Sequence, residues 1–177
     1  MKNFLGLRKI TVHELCFLGL LTALTVIFAV FFTLRIGNAI KIPLKFITVF
    51  ITAVTFGPIW GGIVGALGDI LNAVLVPVGA PIPLITIIEF AYGFIFGIFF
   101  YADRKKYLLK TIICSLILTL IDIFAVSLIL TSAGYFPDYY IAVTVRLPAS
   151  ILKFVIYIIT ILFLKKYLSF LEGRIKK

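Results

Sequence analysis

Long apolar runs alternate along the chain with short polar or glycine- and proline-rich breaks. The runs fall at about 15–34, 46–56, 58–76, 84–101, 107–131 and 148–164. Most approach the roughly 20 residues that an α-helix needs to cross hydrocarbon. Their spacing predicts an all-α membrane protein: one domain over residues 1–177, a bundle of six transmembrane helices, the second short or extended by its flanks. The breaks are "RIGNAIKIPLK" (35–45), Gly57-Pro58, "PVGAPIP" (77–83), "ADRKK" (102–106) and "SAGYFPDYYIAVTVRLP" (132–148). These read as turns, because proline and glycine end helices and lipid does not tolerate exposed backbone.

Composition excludes a soluble protein. Of 177 residues 63% are hydrophobic and 14% charged, against roughly 45–50% and 25% in soluble domains. The net charge of +10 would suit a nucleic-acid binder, but the basic residues flank the apolar runs and are topology signals instead. With both ends inside, twelve of the 17 Lys and Arg fall on the inner side and five (Arg35, Lys41, Lys45, Arg146 and Lys153) on the outer side. This bias predicts a multi-pass protein of the cell membrane with cytoplasmic termini. The leader "MKNFLGLRKITVHE" looks like a signal n-region, yet the run after it is long for an h-region and lacks an A-x-A site, so it is read as retained.

The outer basic residues contradict the positive-inside rule unless something else requires them. Arg35, Lys41, Lys45 and Arg146 can form an electropositive mouth that gathers an anionic solute; headgroup contact is the alternative. Counting down from the outer ends of the runs places Asp69 roughly 12 Å deep, Glu89 9 Å, Lys153 8 Å and Asp122 13 Å. Four ionisable groups from four helices thus share one layer. Such charges are costly in lipid, so they line a polar cavity or pair with one another as packing glue. Three acids against one base leave the set unbalanced, which a donor-bearing ligand or a protonated acid would correct. Asn72, one turn from Asp69, adds a donor and an acceptor.

Small residues recur every fourth position at Gly57, Gly61, Gly65, Asp69 and Ala73, and again at Glu89, Gly93 and Gly97, which predicts close helix packing. Gly19 and Ala23 form a similar pair on the first helix, open to internal packing or a partner helix. Catalytic signatures are missing. His13-Glu14 lacks a second histidine, no metal-ligand cluster or G-x-S-x-G occurs, and Cys16 and Cys114 read as buried, inert thiols. Without a Walker A loop, any concentrative work draws energy from partners or an ion gradient.

Two stretches carry a resemblance. "FGPIWGGIVGALGDILNAVLVPVGAPIPLITIIEFAYGFIFGIFF" (56–100) and "RLPASILKFVIYII" (146–159) resemble the substrate-binding S component of energy-coupling factor (ECF) vitamin transporters, most of all the folate-specific members. The matching pattern is F-G-P-x-W-G-x-x-x-G-x-x-x-D, a P-x-G-A turn and a G-x-x-x-G helix, with R-x-P before the last helix. The resemblance implies a non-enzymatic subunit without cofactor or metal. It would bind a vitamin from outside, dock on a membrane T component coupled to two ATPase subunits, and topple to release its cargo inside. Gly19 and Ala23 stand where S components carry an alanine-x-x-x-alanine docking pattern. For folate, the resemblance implies that Asp69 or Glu89 accepts from the pterin edge and that Arg146, Arg35 or Lys153 pairs with the tail carboxylates. Phe90, Tyr92 or the tyrosines of 135–140 would stack on the ring, and 35–45 and 77–83 would act as gates. The alternatives are an S component for another pterin, pyrimidine or related compound, an intramembrane enzyme using the acids at 69, 89 and 122, and a purely structural subunit.

Overall fold

The computed structural model describes residues 10–36, 40–77, 81–101 and 107–175, with side chains throughout these except at 34–36, 40–43 and 166–175. The order is α1 (Val12–Phe31), β1 (Thr33–Ile36), β2 (Ile40–Pro43), α2 (Phe46–Phe56), α3 (Pro58–Leu75), α4 (Pro83–Phe100), α5 (Tyr107–Ser132) and α6 (Tyr139–Ile175). Helices α1, α3, α4, α5 and α6 are long and apolar enough to cross a membrane, whereas α2 has only 11 residues. At 1.5 Å per residue α2 covers roughly half the hydrocarbon thickness.

Local chemistry sets the boundaries. Thr11 and Glu14 close a reciprocal capping box at the start of α1, Glu14 N–H donating to Thr11 Oγ1 (3.4 Å) and Thr11 N–H to Glu14 Oε2 (3.1 Å). Gly57 separates α2 from α3 with φ +106°, a backbone that side chains disfavour, and Pro58 then opens α3, where its missing N–H is not needed. The break at 35–45 is not an irregular turn but mostly an antiparallel hairpin in which Arg35 faces Lys41 in the register. The turn before the last helix is also shorter than its sequence suggests. Helix α6 begins at Tyr139 and runs through Pro148, so Arg146 stands two turns inside the helix rather than at its start. Proline removes one ladder bond without ending the helix, as membrane-spanning helices tolerate.

Contacts fix the directions. Gly61 lies on Gly93, Gly65 on the Glu89 carbonyl, and Gly97 on Pro58, so α3 and α4 run antiparallel in backbone contact. A Cβ at Gly93 would fall on the Gly61 backbone, which explains the four-residue spacing on both helices. Helices α5 and α6 form the other intimate pair, with Tyr107 OH donating to Ile161 O at one end. Phe46, Phe50, Phe96, Phe100, Tyr107, Leu118, Tyr157 and Ile161 make a buried cluster joining α2 and α4 to α5 and α6. A smaller cluster of Leu18, Leu21, Phe56 and Val64 seats α1. The up-and-down order puts the hairpin, the α3–α4 turn and the α5–α6 turn at one end of the bundle.

Candidate functional site

The polar layer lies toward the hairpin end and consists of two ion clusters. In the first, Lys45 Nζ, at the junction of hairpin and α2, meets Asp69 Oδ1 of α3 at 3.2 Å and Glu89 Oε1 of α4 at 2.9 Å. Thr86 Oγ1 donates to the second Asp69 oxygen at 2.9 Å. In the second, Asp122 of α5 accepts from three residues of α6. Arg146 Nη2 lies 3.0 Å from Oδ1, Lys153 Nζ 3.0 Å from both oxygens, and Ser150 Oγ 2.8 Å from Oδ2. Residues 146, 150 and 153 are spaced i, i+4, i+7, so one face of α6 grips a single carboxylate.

This balance corrects the count made from sequence. Among the described residues the layer holds three acids, Asp69, Glu89 and Asp122, and three bases, Lys45, Arg146 and Lys153, so these need no ligand or protonated acid for neutrality. Lys45 is only 7% exposed and belongs to the layer, not to an open mouth. Its stem carries the ammonium inward from the cap of α2, where two carboxylates repay its desolvation. With every group ionised, the α2–α3–α4 cluster carries one net negative charge and the α5–α6 cluster one net positive charge.

Two cavities adjoin the layer. A large open one of about 890 Å³ lies where the ends of α3 and α4 diverge below the α5–α6 turn. Asp69, Asn72 and Thr86 give it polar groups, Phe90 and Tyr135 aromatic faces, and aliphatic residues the rest. The ring of Phe90 rests over Gly62, where a Cβ would displace it. A second cavity of about 50 Å³ is enclosed by Lys45, Glu89, Tyr92, Asp122, Lys153 and Tyr157, among others. The hydroxyl of Tyr92 and the Nε of Arg146 are buried and find no hydrogen-bond partner among the described residues. The arrangement offers carboxylate and amide acceptors, a guanidinium with unused donors and an aromatic wall, which is equipment for holding a polar heteroaromatic solute.

The residues expected from sequence thus divide. Asp69, Asn72 and Phe90 line the large cavity, Glu89 and Lys153 line the small one, and Arg146 sits on Asp122 beside it. The side chain of Arg35 lies outside the described residues, as does the middle of the 77–83 turn. Gly19 and Ala23 lie on the exposed face of α1, and a Cβ at Gly19 would meet open space. Cys114 is buried as expected, but Cys16 is exposed on that same face of α1, because Leu18, Leu21 and Thr25 take the inward positions. Sequence reasoning missed Ser150 and Thr86, and misassigned Lys45. The stripe 146–150–153 and the T-I-I-E spacing of 86–89 were the available signals.

Five membrane-length helices around a buried polar layer with an adjoining cavity define a membrane-embedded solute-binding protein. The chain belongs to the S-component family of ECF-type transporters: the family described as ECF-type riboflavin transporter, S component, matches residues 9–169. A folate transporter, FolT, of Clostridium novyi (strain NT) is 32% identical over 102 residues, which is 58% of this chain and 58% of the relative. The chain therefore aligns with somewhat over half the length of that curated relative. The crystal structure of FolT bound with folic acid superposes with a TM-score of 0.78 at 28% identity, over 87% of this chain and 93% of that one.

Proposed function

We propose that the chain is the binding subunit for folate uptake, passing its cargo to a T component driven by two ATPase subunits. What carries this reading is the likeness over 93% of a chain solved with folic acid. The site's chemistry agrees with it. Asp69 and Asn72 accept and donate to the pterin edge beside Phe90, with Glu89 behind them. Arg146, whose Nε is unused, and Lys153 draw the tail carboxylates toward the cationic pair of helices. Arg35 in β1 adds positive charge at the hairpin. Gly19 and Ala23 form the face for the T component.

A second substrate, riboflavin, is favoured by the description of the matching family. Titration of the purified, detergent-solubilised chain with folic acid and with riboflavin separates the two, read by calorimetry and by the fluorescence of Trp60, the one tryptophan. Saturable one-to-one binding of folic acid is expected. Binding of riboflavin in its place would transfer the function to the second substrate.

A further inference from the structure

Asp69 and Glu89 both contact Lys45, yet only Asp69 borders the large cavity, while Glu89 and Lys45 border the small one. The lysine therefore links an aspartate at the large cavity to a glutamate that shares the small cavity with it. A carboxylate offers about four lone-pair sites. Thr86 and Lys45 occupy one on each Asp69 oxygen, which orients the group and leaves acceptor capacity toward the cavity. Lys45 is itself anchored, because Leu44 N–H donates to Phe32 O (3.1 Å) at the base of the hairpin and α2 starts at the next residue.

We propose that Lys45 is a positioning residue of the ligand site: its ammonium bridges Glu89 and Asp69 and so holds the Asp69 carboxylate aimed into the large cavity. The inference rests on the reading of that cavity as the vitamin site. Without the ammonium, Asp69 and Glu89 would be two neighbouring carboxylates with no base between them, and their repulsion would turn Asp69 off its line into the cavity. Tyr92, Asp122, Lys153 and Tyr157 face Lys45 across the small cavity, where Lys153 is held on both Asp122 oxygens. Lys45 is the base in direct contact with both Asp69 and Glu89.

The test is charge compensation. Folic acid affinity and thermal unfolding are measured in detergent for wild type, Lys45→Met, Lys45→Arg, Glu89→Gln and the double variant Lys45→Met/Glu89→Gln. Lys45→Met is expected to weaken binding by about 30-fold or more and Lys45→Arg by much less. The double variant should bind more tightly than Lys45→Met alone, since removing the second acid removes the need for the base. A double variant as weak as Lys45→Met, or Lys45→Met binding like wild type, overturns the proposal. If wild type takes riboflavin and not folic acid, the substrate reading fails while the same series with riboflavin still decides the role of Lys45. If it takes neither, the melting temperatures decide: the drop caused by Lys45→Met must be recovered in the double variant.

Discussion

Arg146 shows how a residue can be both structural and poised. One nitrogen, Nη2, serves Asp122, touching both its carboxylate and, at 3.4 Å, its backbone carbonyl, while Nε stays buried and unused. Replacing it with methionine leaves Asp122 held by Lys153 and Ser150, so the fold should survive while a donor for the ligand carboxylate is lost. Affinity for folic acid should fall by about tenfold or more, whereas pteroate, which lacks the glutamate tail, should lose much less. Equal losses for both ligands would remove Arg146 from the tail. Asp69, Asp122 and Lys153 were legible as a layer because charges inside apolar runs demand a partner. Lys45 was not, since a lysine at a helix start reads as a surface anchor until the direction of its stem is known. Cys16 was misread for the same reason: depth along a helix is visible in sequence, but the side it faces is not.

Among the elements, glycine separates into two uses. Gly93 is pressed on Gly61, and valine there should force α3 and α4 apart, costing about 1–3 kcal/mol or more and lowering the melting temperature and ligand binding together. Gly19 faces open space, so leucine there should leave melting and ligand binding unchanged while abolishing co-purification with the T component. Loss of ligand binding in Gly19→Leu, or full assembly with the T component, would sink the assignment of that face. The spacing of these glycines is plain in the sequence and gave the helix pairing. The hairpin and the early start of α6 were hidden, because Pro43 and Pro148 read as breaks, while a strand tolerates proline at its edge and a membrane helix tolerates it within.

At the scale of the whole molecule, each ion cluster is complete within one group of helices: Lys45, Asp69 and Glu89 within α2, α3 and α4, and Asp122 with Arg146, Ser150 and Lys153 within α5 and α6. The two groups are joined by the aromatic cluster, which runs from Phe46 and Tyr157 beside the small cavity to Phe100 and Tyr107, and residues of both ion clusters line that cavity. A seam of this kind behaves like the mouth of a purse with a stitched base. No salt bridge among the described residues crosses it, and its base is held by the packed rings of Phe50, Phe96, Phe100 and Tyr107. Spin labels at Val74 and Leu128, toward the hairpin end, should therefore show a broader distance distribution without ligand than with it. Labels at Ile98 and Leu108, near the opposite end, should show the same narrow distribution in both states.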